Sequence, residues 1–198
     1  MGAIILDTNI ISDAHLPEPP DWLLKWIACL GPESVVIPWI VIYETEYGIR
    51  YVERSSASRA AEVLEWFEVF LSKRMIILDM NVAGARLLGQ MAACTHLRGF
   101  FETQPRTNKW GEELKNDKIK LGADVMIAAM SIAHGIPIAS LNTKDFLLIH
   151  RHFPIPGLYN PYWDEWAVPP PIGWGMDRNA NDDFEDRREA NGTRNVSR

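Results

Sequence analysis

Five polar residues stand where this chain's apolar runs give way, and four of them are acids: Asp7, Glu44, Asp124, Asn142 and Asp145. Asp7 ends the run Ala3-Ile4-Ile5-Leu6 and opens Asp7-Thr8-Asn9. A carboxylate at the carboxyl end of a parallel strand projects into the crevice where open α/β sheets bind ligands. The same residue serves equally as a helix cap or Asx-turn, so alone it carries both readings. Glu44 follows Ile40-Val41-Ile42-Tyr43 and precedes Gly48 by four positions. On a helix that spacing puts carboxylate and glycine on one face, with the glycine permitting close backbone approach. Alone, Glu44 reads as a surface glutamate like its neighbour Glu46. Asp124 precedes the most apolar helix of the chain, where an N-cap role would need no active site. Asn142 and Asp145 follow a strand ending at Ser140, and turn chemistry before Phe146 would also explain them.

The combination says more than its members. Asp7, Asn142 and Asp145 would leave the same sheet edge, with Glu44 and Asp124 brought in on helices. Carboxylates gathered in one crevice repel one another unless a cation compensates them. Oxygen donors select Mg²⁺ or Mn²⁺, and no His/Cys cluster at zinc spacing is visible along the chain. Such ions suit phosphoryl chemistry, because they activate water and neutralise the phosphate. The residues therefore describe a metal-dependent phosphodiesterase anchored on Asp7.

Alternating elements supply the frame. Strands are expected at 3–6, 34–38, 75–78 and 136–140, each a short apolar run containing Ile. Helices are expected from Trp22 to Leu30 with Asp21 as cap, Trp39 to Val52, Ala57 to Leu71, after Asn81 through Met91, and from Asp124 to Gly135. Strand–helix alternation across most of the chain indicates an α/β domain with a mainly parallel central sheet. The domain is expected to span 1–162. A basic insertion at about 96–121, carrying Arg98, Arg106, Lys109, Lys115, Lys118 and Lys120, interrupts the pattern. Beside an acidic site it reads either as a phosphate-binding flap or as a solvated loop. In the extension at 163–198, Trp163, Trp166 and Trp174 suggest packing on the domain surface, and the polar composition beyond about 176 reads as disorder.

Composition sets limits. A net charge of −6 argues against a protein that coats nucleic acid non-specifically, without excluding one that binds it locally. No apolar run approaches the roughly 18 residues that span a bilayer. Met1-Gly2-Ala3 lacks the basic start of a signal peptide, and Leu6 replaces the Ser or Thr of a myristoylation signal. Cys29 and Cys94 read as buried, reduced thiols of a cytoplasmic protein.

Ile5-Leu6-Asp7-Thr8-Asn9, Glu44 with Gly48, Gly122-Ala123-Asp124 with Ile127-Ala128-Ala129, and Ser140-Leu141-Asn142-Thr143-Lys144-Asp145-Phe146 resemble, in order, the motifs of PIN-domain nucleases. The resemblance is closest to VapC-type toxins of bacterial toxin–antitoxin pairs and runs from about residue 3 to 160. It implies a three-layer α/β/α domain and a Mg²⁺-dependent endoribonuclease, with Mn²⁺ as a substitute. RNA is the implied substrate, a VapB-like antitoxin the implied partner, and a homodimer the implied assembly. Asp7, Glu44 and Asp124 match the family's metal-binding acids. The fourth position falls on Asn142 or Asp145, of which only Asp145 is charged, while Thr8, Asn9, Ser140 and Asn142 become supports for the carboxylates. A PIN-like binding module without catalysis is the alternative. A haloacid-dehalogenase-like phosphatase is set aside because Asn9 stands where that chemistry needs a second Asp.

Overall fold

The computed structural model describes residues 2–31, 33–102, 106–107, 113–114 and 120–175, the two short pairs as backbone only. Along the chain run β1 (Ile4–Leu6), α1 (Thr8–Ala14), α2 (Asp21–Cys29), β2 (Val35–Pro38), α3 (Trp39–Glu53), α4 (Ala57–Leu71), β3 (Ile76–Leu78) and α5 (Val82–Ala93). A 3-10 helix (Thr95–Phe100) and a hairpin, β4 (Arg106–Thr107) with β5 (Glu113–Leu114), follow. The remaining elements are α6 (Ala123–His134), β6 (Ile138–Ala139), α7 (Thr143–His150), β7 (Leu158–Asn160) and β8 (Glu165–Val168).

Six strands form one sheet in the order β3-β2-β1-β6-β7-β8, parallel throughout except for the last pair. Helices flank this sheet, giving the expected α/β/α layering. All three residues of β1 are buried, which is why this central strand is an unbroken apolar run and not an alternating one. Strand order reverses between β1 and β6, since the chain builds outward through β2 and β3 on one side and β7 on the other. That reversal opens a crevice at the carboxyl ends of β1 and β6. Pairing of Leu6 with Ala139 fixes its geometry, because the next residues on the two strands are Asp7 and Ser140.

Helix α6 packs against α3, α5 and α7. Val125, Ile127, Ala128, Ala129 and Met130 are all buried, so a helix apolar on nearly every side is what this central position requires. Its start is set by Gly122, at φ +66°, where an added Cβ would lie 2.6 Å from Cε1 of Phe101. Gly122→Ala combines a left-handed backbone that costs a side chain about 1–2 kcal/mol with a clash against that ring. The expected result is a lower urea midpoint at unchanged slope, and a wild-type midpoint would show that Phe101 does not hold this turn.

Several local expectations change. Asp21 does not cap α2; it is the helix's first residue and Pro20 holds the cap position, since a proline fits at a helix start without offering a side-chain acceptor. Gly48 admits no close backbone approach, because a Cβ there meets nothing within 4 Å; it faces open space beside Glu44. Cys29 is buried as expected, whereas Cys94 is only half-buried, at the carboxyl end of α5. The chain past position 162 joins the fold. Residues beyond it form β8 on β7, Trp166 and Trp174 pack against the core, and Trp174 Nε1 donates to the carbonyl of Ala3. Trp163 stays exposed. Residues 176–198 and most of the basic insertion, including Lys109, Lys115 and Lys118, lie outside the described residues, as does the Arg106 side chain. Among the described residues no helix is long and apolar enough to cross a membrane.

Candidate active site

Asp7 takes up the cap role that its position allowed with one oxygen and leaves the other to a separate set of donors. Its Oδ1 accepts the Thr8 amide hydrogen at 2.7 Å and so caps α1. Its Oδ2 accepts from Asn9 Nδ2 at 2.6 Å and from Ser140 Oγ at 2.6 Å. Ser140, fully buried, also accepts from Asn9 Nδ2 at 3.1 Å and from the Asn142 amide at 2.9 Å. Asn9 Oδ1 closes the web by accepting from the Leu141 amide at 3.2 Å. The ends of β1 and β6 are thereby laced together by Asp7, Asn9 and Ser140, and the Asp7 carboxylate has little freedom to turn.

Glu44 arrives from α3, where Thr8 Oγ1 donates to its Oε2 at 2.6 Å. Thr8 thus serves both acids, Asp7 through its amide and Glu44 through its hydroxyl. Asp145 lies in the first turn of α7, and its Oδ2 accepts from Asn142 Nδ2 at 2.7 Å. The two residues that competed for one place stand in different relations to the site, because Asn142 spends its amide on Asp145. Asp124 sits in the first turn of α6 but does not cap it; Gly122 occupies the cap position without a side-chain bond.

Electrostatics bind the four acids together. Burial pushes Asp7 from 3.8 up to about 6, against the pull of Ser140, Thr8 and Asn9, and the Glu44 charge adds to the rise. Burial likewise raises Glu44, with the Thr8 hydroxyl opposing it. Asp124 rises furthest, to about 7, first through burial and then through the charges of Asp7, Asp145 and Glu44. Lys120 opposes that rise. Among the described residues no group hydrogen-bonds the Asp124 carboxylate. A half-buried carboxylate without a donor, facing three other carboxylates, is the condition that a cation relieves. The donors are all oxygens, so the set fits Mg²⁺ or Mn²⁺ and not a soft metal.

Two clefts meet at Glu44. One, of about 170 Å³, is lined by Glu44, Phe100, Lys120, Leu121, Gly122, Ala123 and Asp124. The other, of about 250 Å³, runs along Ser12, His15, Glu44, Gly48 and Arg59 among others. Glu44 therefore borders two clefts, one with Lys120 in its lining and the other with Arg59. Sequence reading included Lys120 only as one cation of a charged segment; its place four residues before Asp124 was the available signal. Arg59 gave none. A larger apolar cavity of about 390 Å³, walled by Leu24, Ile27, Trp66, Phe70 and Met75, contains none of the acids and offers no chemistry.

A family profile described as PIN domain matches residues 4–149. The chain is 26% identical over 146 residues to the plasmid stability protein StbB of Pseudomonas syringae pv. tomato, covering 72% of this chain and 90% of that protein. It is 24% identical over 143 residues to the VapC ribonuclease Y4jK of Sinorhizobium fredii, covering 72% of this chain and 89% of that one. Among solved structures, VapBC2 from Rickettsia felis bound to a DNA fragment from their promoter is 21% identical with a TM-score of 0.52, covering 83% of this chain and 98% of the matched chain.

Proposed function

This chain belongs to the PIN domain family, and from that premise we propose that it is a metal-dependent endoribonuclease acting as the toxin of a toxin–antitoxin pair. One observation carries the reading: the Asp124 carboxylate, half-buried and without a hydrogen-bond donor among the described residues, faces the charges of Asp7, Glu44 and Asp145. Similarity to the VapC ribonuclease Y4jK supports RNA as substrate. The fold shared with VapBC2 supports a VapB-like antitoxin as partner, and in this reading the toxin works in the cytoplasm.

In this reading Asp7, Glu44, Asp124 and Asp145 hold Mg²⁺, or Mn²⁺ in its place. When bound, the ion supplies Lewis acidity and a positive charge against the scissile phosphate. The chain's own residues do the positioning. Asn9 and Ser140 fix Asp7 Oδ2, Thr8 fixes Glu44 Oε2, and Asn142 fixes Asp145 Oδ2. The bonds to Asp7 and Glu44 favour the ionised carboxylate, and all of them fix an oxygen in place to hold a cation. Lys120 acts on Asp124, and Arg59 lines the cleft on the other side of Glu44, so both clefts offer positive charge to an RNA backbone.

The fourth acid is tested by comparing Asp145→Asn with Asn142→Ala on a defined RNA in Mg²⁺. Asp145→Asn is expected to abolish detectable turnover. Asn142→Ala, which removes a single positioning hydrogen bond, is expected to cost about 10–100-fold, the range typical of groups that orient metal ligands. The reverse ranking would give the fourth place to Asn142. Titration with Mn²⁺ in a calorimeter, beside mapping of cleavage ends on total RNA, tests the enzyme assignment itself. A chain that neither takes up Mn²⁺ nor cuts RNA is a PIN-fold binding module.

A further inference from the structure

Cys94, His96 and His152 gather on the far end of α5 and α7 from anything the acids use. Cys94 follows α5, His96 lies in the 3-10 helix one residue beyond Thr95, and His152 lies two residues past the end of α7. One ligand atom from each falls within 4.8 Å of the other two, and among the described residues this is the group of three His, Cys, Asp or Glu side chains that closes so tightly. Cys94 Sγ and His96 Nδ1 are 4.0 Å apart, and the two imidazoles stack with centroids 4.4 Å apart at 21°. Cys94 is half-buried while both histidines are exposed.

We propose that these three side chains form a second metal site, for Zn²⁺ or a similar borderline-soft divalent ion. Two imidazoles and a thiolate are the donor set that Zn²⁺ prefers and that Mg²⁺ does not. Tetrahedral Zn²⁺ with bonds of about 2.0–2.3 Å spaces its ligands by roughly 3.3–3.7 Å, so the atoms need to close by only about 1 Å. Exposed imidazoles reach that spacing by rotating off their stack. Three protein ligands leave the fourth position to water. The ion would act as a clip. The 3-10 helix carries Phe100, which walls the cleft beside Glu44 and Asp124, and Gly99, whose carbonyl accepts from Lys120. Binding His96 to His152 would tie that wall to the end of α7, the helix that carries Asp145.

Co²⁺ titrated into the reduced, metal-free full chain tests this. A thiolate ligand gives Co²⁺ an intense charge-transfer absorption that carboxylate oxygens do not give, so binding at the acids is silent in that band. The expected result is a band saturating at one equivalent, displaced by Zn²⁺ and unchanged in Asp124→Asn. Cys94→Ser is expected to abolish it, and His96→Gln or His152→Gln to weaken Co²⁺ affinity at least tenfold. Both histidines are exposed, so their variants should fold. The same Zn²⁺ should raise the melting temperature of the wild-type chain and not of Cys94→Ser. Absence of the band in excess Co²⁺, its survival in Cys94→Ser, or indifference to both histidine variants would overturn the site. Because the band reads thiolate ligation alone, loss of nuclease activity or of the acid site would leave it in place.

Discussion

Asp124→Asn is expected to lower RNA cleavage by about 10³-fold or more while making the metal-free protein more stable at neutral to alkaline pH. The two effects share one cause. Burial and the charges of Asp7, Asp145 and Glu44 hold Asp124 near 7, so its ionised form is tolerated in the fold only at a cost. Asn keeps the shape and removes the charge. In the metal-free chain it relieves repulsion on three neighbours at once. In the loaded enzyme it deletes a ligand, and an ion's charge stabilisation is worth several kcal/mol, with each 1.36 kcal/mol a factor of ten in rate. Gel-based cleavage rates in Mg²⁺ and urea midpoints in chelator measure the two halves. A variant that lost activity and stability together would show Asp124 to be a structural residue, and one that cut RNA at wild-type rates would remove it from the site.

The metal-free protein should also lose stability as pH rises from about 4 to about 7, and regain it when Mg²⁺ or Mn²⁺ is added. An acid whose pKa is higher in the folded state binds its proton more tightly there. Below 3.8, Asp7 is protonated in both states and contributes nothing. Between 3.8 and about 6 the unfolded chain ionises freely and the folded one does not, so stability falls. Above that window the full cost from Asp7 stands at about 3 kcal/mol, at 1.36 kcal/mol per unit of pKa. Asp124 extends the fall to about 7, and because the two acids interact they titrate as a pair whose costs do not simply add. Urea midpoints between pH 4.5 and 8 in chelator, compared with the Asp7→Asn/Asp124→Asn double variant, isolate these acids from the histidines. A wild-type profile that matched the double variant, or that ignored added metal at pH 8, would end the account.

Sequence reading caught most of what strands and turns impose locally. Asp7 was legible because β1 is so short and so apolar that its polar end is abrupt, and Gly122-Ala123-Asp124 because a helix as apolar as α6 can only be central. Asn142 and Asp145 were legible as a pair but not in their division of labour, which rests on which way one amide points. Gly48 was misread, since helical spacing gives a face and not what packs on it. Strands β7 and β8 left little trace, because Leu158–Asn160 and Glu165–Val168 are short and depend on pairing. Arg59 and the Cys94, His96 and His152 group were invisible for a different reason. Arg59 and His152 meet their neighbours only through the fold of distant segments, and Cys94-Thr95-His96 without His152 is too short a pattern to mark a site.

The lacing of Asp7 to Ser140 joins residues 133 positions apart. At a synthesis rate of roughly 5–20 residues per second, the first of them waits about 7–27 s for the second to exist. Through that interval β1 has β2 to pair with but not β6, and the Asp7 carboxylate has Thr8 and Asn9 as partners but not Ser140. The emerging chain therefore cannot close its acid cluster until Asp124, Ser140 and Asp145 have all been made.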